Sequence, residues 1–197
     1  MHVAKRLLSA AAALVLCATP ALAQGSGGGK LSLGIVGGLY SLGGDDFTGV
    51  KSGFHFEGTA RFLVSPQIAL AVGGGYNMNT TEASSVNFNV LRVLDQPRYM
   101  IRLADPKLAP WIGAQAEWHR YSSKYSGESM NASGFGFGAL AGATYWTSPT
   151  LGIEASVAFL SIAFGDASIA GTTATGSKLS GTALGLQVGV VFKLGGR

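Results

Sequence analysis

The feature that most constrains this chain is a hydrophobic period of two that recurs along almost its whole length. Phe54, Phe56, Gly58, Ala60 and Phe62 alternate with His55, Glu57, Thr59 and Arg61. One face of that segment is apolar and the other carries three ionisable groups. A helix would scatter both sets around its circumference, so the segment is a strand.

Seven more segments read the same way. Residues 30–42 align Leu31, Leu33, Ile35 and Leu39; residues 68–79 align Ile68, Leu70, Val72, Tyr76 and Met78. Residues 109–121 set Ile112, Ala114, Ala116 and Trp118 against Gln115, Glu117 and His119. Residues 134–146 set Phe135, Phe137, Ala139, Ala141, Ala143 and Tyr145 against glycines. Residues 151–162 set Leu151, Ile153, Ala155, Val157 and Phe159 against Glu154 and Ser156, and residues 181–194 set Leu184 through Leu194 against Gln187 and Lys193. Residues 87–103 are the least regular. Tyr99, Ile101 and Leu103 oppose Arg98 and Arg102, but Asp95-Gln96-Pro97 interrupts the pattern. A bulge is expected there, because proline cannot donate to a ladder.

The connections alternate in length. Residues 65–67, 104–108 and 147–150 are short, whereas 43–53, 80–86, 122–133 and 163–180 are mostly longer and polar. Short turns on one side and long loops on the other, joining strands long enough to cross a bilayer, predict an all-β fold: an eight-stranded antiparallel transmembrane up-and-down β-barrel. Two Ser-Pro pairs, Ser65-Pro66 and Ser148-Pro149, follow the second and sixth strands and so fall on the same side.

Charge chooses the face that meets lipid. Only 12% of the residues are charged, and no stretch after the first 23 residues reaches the roughly 18 apolar residues of a spanning helix. An apolar belt turned to water would be a large sticky surface. In the opposite membrane register His55, Glu57 and Arg61 would face acyl chains, and an arginine there costs about 2–4 kcal/mol. The expected lumen is therefore a polar network of His55, Glu57, Arg61, Arg98, Arg102, Gln115, Glu117, His119 and Glu154. The bulky residues of the second strand are expected to face the glycines of the sixth across it, since an eight-stranded interior is just wide enough for side chains to fill. Aromatics near the strand ends predict two girdles: Trp111, Tyr145, Trp146 and Phe192 by the short turns, and Tyr40, Phe54, Tyr76, Trp118 and Phe159 by the loops.

The first residues read as an address. Lys5 and Arg6 precede an apolar run from Leu7 to Ala18, and Ala21-Leu22-Ala23 is a small-x-small cleavage site. This predicts a cleavable signal peptide at 1–23, a Gly/Ser-rich segment at 24–29 and a barrel at 30–197. Cys17 is the only cysteine, so the chain beyond the leader has neither disulfide nor thiol chemistry. Losing Lys5 and Arg6 lowers the formal net charge of +4 by two, and no basic cluster suggests a nucleic-acid partner.

Nothing in the pattern spells catalysis. His119 and Ser122 are three apart on a strand and face opposite sides, so no triad has usable spacing. Asp45-Asp46 in a Gly-rich loop reads as a solvated pair, and beyond the leader two histidines, with no cysteine, do not make a zinc site. No enzyme activity, cofactor or metal is expected.

The last strand resembles the signal by which outer-membrane barrels are read by their assembly machinery: Gln187, Gly189 and Phe192 match the polar-x-Gly-x-x-aromatic pattern, and Leu194 stands where a terminal aromatic is usual. Leu108-Ala109-Pro110-Trp111-Ile112-Gly113-Ala114 and Gly136-Phe137-Gly138-Ala139-Leu140-Ala141-Gly142 likewise resemble strands of the small outer-membrane β-barrel family (OmpA/OmpX-type). The resemblance implies a membrane-embedded barrel and not any one activity; export, alternation and face chemistry together predict a monomer in the Gram-negative outer membrane, in contact with lipid and lipopolysaccharide, with a structural or surface-interaction role. The alternatives are a narrow porin-like channel for small solutes or a soluble periplasmic ligand-binding barrel.

Overall fold

The computed structural model describes residues 31–82, 87–125, 128–169, 172–174 and 178–194. The expected signal peptide, the Gly/Ser segment and the last three residues lie outside them. The strands are β1 (Leu31–Gly43), β2 (Gly53–Ser65), β3 (Ile68–Thr80), β4 (Asn87–Met100), β5 (Leu108–Tyr125), β6 (Glu128–Trp146), β7 (Leu151–Phe164), β8 (Ala167–Ile169), β9 (Thr172–Ala174) and β10 (Leu179–Leu194). Eight of them are long. Each pairs antiparallel with its neighbours in sequence, β7 pairs with β10, and β10 pairs with β1, so the sheet closes on itself and leaves no edge within the wall. The short β8–β9 hairpin hangs from the loop end of β6.

Closure with strict alternation separates the chemistry. Phe56 and Val188 are 57% and 60% exposed on the outer wall, while Glu57 and Arg61 are 3% and 7% exposed. Leu33, Ile35, Leu39, Leu91, Val93, Ile112, Phe135, Phe137, Val157 and Leu186 continue the outer belt. No helix among the described residues is long and apolar enough to cross a membrane; the crossing is done by strands.

The two Ser-Pro turns are one device used twice. The Ser65 hydroxyl accepts from the backbone N–H of Gln67 at 3.4 Å and Ile68 at 3.1 Å; that of Ser148 accepts from Thr150 at 3.3 Å and Leu151 at 3.0 Å. Each caps the N–H groups two and three residues on, satisfying donors that the ladder leaves open.

Several details depart from the sequence pattern. The β3–β4 ladder runs unbroken through Ala71↔Gln96 and Leu70↔Pro97, so no bulge forms there. On the β5 side the pairing jumps from Asp95↔Ala116 to Arg98↔Gly113 in unchanged register, because Pro97 has no N–H to give. The bulge lies instead between Leu63 and Ser65 of β2. β4 ends at Met100, and Arg102 is exposed in the connection beyond it rather than in the lumen. The third outer connection is not a loop: β5 runs to Tyr125 and β6 starts at Glu128, and the hairpin continues past the last β6–β7 pair, Gly134↔Phe164. Two of the expected girdle aromatics, Tyr40 and Trp111, are 3% and 1% exposed and turn inward.

Candidate functional site

The lumen is filled in three layers. Nearest the short turns, Glu154 sits between two guanidinium groups. Arg61 binds it through two parallel bonds, Nη1 to Oε2 at 2.6 Å and Nη2 to Oε1 at 2.8 Å. Arg98 Nη1 lies 3.3 Å from Oε1, and the Thr144 hydroxyl donates to Oε2 at 2.8 Å. Arg61 Nε donates to Thr59 at 3.0 Å, and the Arg98 guanidinium lies 3.9 Å from the centroid of the Trp111 ring. Forked guanidinium–carboxylate pairing fixes geometry as well as charge.

The middle layer is a relay of amides. Arg98 Nη2 donates to the side-chain oxygen Oε1 of Gln96. The Gln96 amide donates to Glu57 at 3.1 Å and to Gln115 at 3.0 Å, and Gln115 donates to Glu117 at 2.8 Å. Arg92 bridges Glu117 at 3.1 Å and Glu57 at 3.4 Å, and His119 Nδ1 lies 3.3 Å from Glu117. Gln187 accepts from Ser156 at 2.9 Å and reaches Glu57 at 3.5 Å.

The loop-end layer is apolar. Tyr40, Leu42, Phe88, Val90, Tyr121, Leu160, Ile162 and Phe164 form a buried cluster inside the barrel. The single helical turn Asp45–Phe47 folds over it and drops Phe47, 2% exposed, against Phe88 and Phe164, with ring centroids 5.9 and 6.2 Å away. Asp46 ties that turn to β10 by accepting from the Ser180 N–H at 2.8 Å.

Of the residues named from sequence, the structure brings Glu57, Arg61, Arg98, Gln115, Glu117, His119 and Glu154 into this network and leaves Arg102 outside it. His55 is fully buried but packs edge-on against Tyr40, 5.7 Å between centroids, and its ring nitrogens have no hydrogen-bond partner among the described residues. Sequence reasoning missed Arg92, Gln96, Thr59, Thr144 and Phe47. Arg92 and Gln96 share the parity of Arg98, so carrying that alternation back through the Asp95-Gln96-Pro97 interruption would have found both.

Either way round the closed sheet β6 lies four strands from β2, so its glycines stand across the lumen from the second strand, but what a side chain at the glycines would meet first is a neighbouring strand. Most of them serve the strand next door. A Cβ built on Gly38, Gly73, Gly134, Gly138 or Gly189 would strike a backbone carbonyl of the adjacent strand: those of Leu186, Gly58, Ala163, Phe159 and Ile35. The strands coil so tightly that only hydrogen fits at these inward positions, which is how a narrow barrel turns its corners. Gly34 and Gly136 do give room to side chains, but to Arg61 and Glu117 of neighbouring strands.

The wall and its filling meet the comparisons here. Residues 9–192 match the outer membrane protein beta-barrel domain. The chain belongs to that family. Among solved structures it is similar to Neisserial surface protein A, at 18% identity over 86% of this chain and 100% of that one, with a TM-score of 0.65. It is also similar to OprG from Pseudomonas aeruginosa (16%, 86% and 99%, TM-score 0.54) and to Ail, the attachment invasion locus protein of Yersinia pestis (16%, 83% and 96%, TM-score 0.51). At these identities the likeness is one of fold. Comparison with curated proteins gives no match. In outer-membrane barrels the short turns face the periplasm and the long connections face outward. This places the Glu154 layer on the periplasmic side and the Phe47 layer at the outer mouth.

Proposed function

We propose that this outer-membrane barrel has a structural or surface-interaction role, with a closed lumen, rather than serving as a pore or an enzyme. The observation that carries the reading is Phe47. A loop residue fills the outer mouth over an aromatic cluster, and a cross-linked polar layer lies beneath it. Ions and water would have to displace both.

Recognition would belong to the outer connections. The β5–β6 hairpin carries residues 128–133 of β6 beyond its last pair with β7, which at about 3.4 Å per residue is on the order of 20 Å of extra ribbon. β8 and β9 add to its side. A projecting ribbon on a rigid barrel suits contact with neighbouring surfaces.

The remaining parts of the reading concern assembly and setting. A Sec-type signal peptide at 1–23 exports the chain to the periplasm of a Gram-negative cell. The barrel assembly machinery reads Gln187, Gly189, Phe192 and Leu194 and inserts a monomer among outer-membrane lipid and lipopolysaccharide. Two of those residues also serve the barrel itself: Gln187 hydrogen-bonds in the lumen, and Gly189 lies against the β1 backbone.

The test is planar-bilayer recording of the folded protein together with fractionation of native membranes. Silent bilayers and a heat-modifiable band in the outer-membrane fraction support the reading. Discrete single-channel steps would replace it with a pore, and a chain that stays monomeric in water without detergent would replace it with a soluble barrel.

A further inference from the structure

The periplasmic end of the lumen does not fill. A cavity of about 360 Å³ lies between the Glu154 layer and the β4–β5 connection, and its wall carries Arg61, Arg98, Arg102 and Lys193 against only two carboxylates, Glu154 and Asp105. Glu154 is already held by Arg61, Arg98 and Thr144, and Asp105 accepts from the Lys107 N–H at 2.9 Å. Lys193 Nζ rests 3.7 Å from the centroid of the Trp146 ring and, like Arg102, forms no salt bridge among the described residues.

With both carboxylates engaged and Arg102 and Lys193 without one, the wall carries an excess of cations that calls for a negatively charged acceptor.

We propose that this cavity binds a phosphate-type oxyanion from the periplasmic side. The excess of two cations matches a phosphate dianion, and guanidinium groups suit its oxygens. The volume falls in the range of small-ligand sites. The same chemistry is offered by free phosphate or a phosphate monoester and by the headgroup of an inner-leaflet phospholipid.

The experiment separates the two sources. Folded full-length barrel in a phosphate-free nonionic detergent is titrated with inorganic phosphate, and tryptophan fluorescence reports, since Trp111 and Trp146 both line the cavity. In the second arm, barrel extracted from native membranes into the same detergent is assayed for lipid phosphorus. Saturable phosphate binding, weakened about tenfold in each of Arg102→Gln and Lys193→Gln with the heat-modifiable band unchanged, assigns the site to a free anion. Retention of about one phospholipid per barrel, lost in both variants, assigns it to a headgroup. Neither response, or responses equal in the parent and both variants, overturns the proposal.

Discussion

Replacing Glu154 tests whether the lumen's charges hold the barrel together. The carboxylate is 1% exposed and accepts from Arg61, Arg98 and Thr144. Glu154→Leu leaves two guanidinium groups side by side, largely buried and without a counter-charge on their own layer. Removing one partner of a buried pair costs about 3–5 kcal/mol, because the charge left behind is uncompensated. Here two charges are left behind, so the upper end of that range is expected. Glu154→Gln keeps the shape and an acceptor oxygen but loses the charge, and should cost roughly half as much. The assay is urea unfolding in lipid vesicles, following the heat-modifiable band. With an m-value of about 2 kcal/mol per molar urea, the leucine variant should lower the midpoint by about 2.5 M. Arg61→Leu in the Glu154→Leu background should recover part of the loss, since it removes one orphaned charge. Midpoints for both single variants within about 0.3 M of the parent would refute the reasoning. The network would then be filling and not fastening.

The remaining predictions use the wall, the belt and the plug. Gly138→Ala, whose Cβ would meet the Phe159 carbonyl and lie 2.7 Å from the Leu160 Cα, should cost about 1–3 kcal/mol, while Gly58→Ala, with nothing within 4 Å, should stay within about 0.5 kcal/mol; vesicle folding yields and urea midpoints read the difference. Leu186→Arg places a cation on an outer position that is 51% exposed, and should reduce membrane assembly by the equivalent of about 2–4 kcal/mol. Gly185→Ser, whose nearest neighbours would lie 3.6–3.8 Å away, should assemble normally, so equal outer-membrane yields for the pair would contradict the assigned faces. Phe47→Ala should free the Asp45–Phe47 turn, seen as faster protease cleavage between β1 and β2 with the barrel band intact.

The alternation of β2 and β10 made the barrel and its orientation readable because every second residue had one solvent to satisfy. Residues 122–133 look like a loop because their Ser-, Asn- and Gly-rich sequence carries no apolar alternation, yet the β5–β6 ladder runs on to Tyr125↔Glu128. Arg102 carries the parity of Arg98 but lies past Met100, where the strand has ended, and parity says nothing about where pairing stops. The polar network was legible in its residue types, but not in its links. Glu154 on β7 is held by Arg61 from β2 and Arg98 from β4, a convergence that depends on barrel closure and coil. Phe47 was the least legible, as one aromatic in a polar Gly-rich loop does not announce that it folds back into the mouth.

The polar filling also explains how a chain can live in a membrane without any apolar run of spanning length. In β10 the outward residues Leu184, Leu186, Val188 and Phe192 would join into one apolar stretch if Gly185, Gln187, Gly189 and Lys193 were also apolar. A stretch of that kind begins to approach a helical membrane signal and would favour retention at the first bilayer the chain meets. A dry, apolar lumen would thus conflict with delivery across a periplasm, even where it packed well. Glutamine and arginine pairs fill the same space while keeping strands such as β2, β5 and β10 alternately polar. They stay buried only once the barrel has closed, when Gln187 reaches Ser156 and Glu57 and Arg61 reaches Glu154. The lumen chemistry is therefore tied to the route of assembly as much as to stability. A variant with Gly185, Gln187 and Lys193 all changed to leucine, which spares the tightly packed Gly189, should fold from urea into vesicles yet accumulate at the inner membrane in cells. Normal outer-membrane delivery of that variant would break the link.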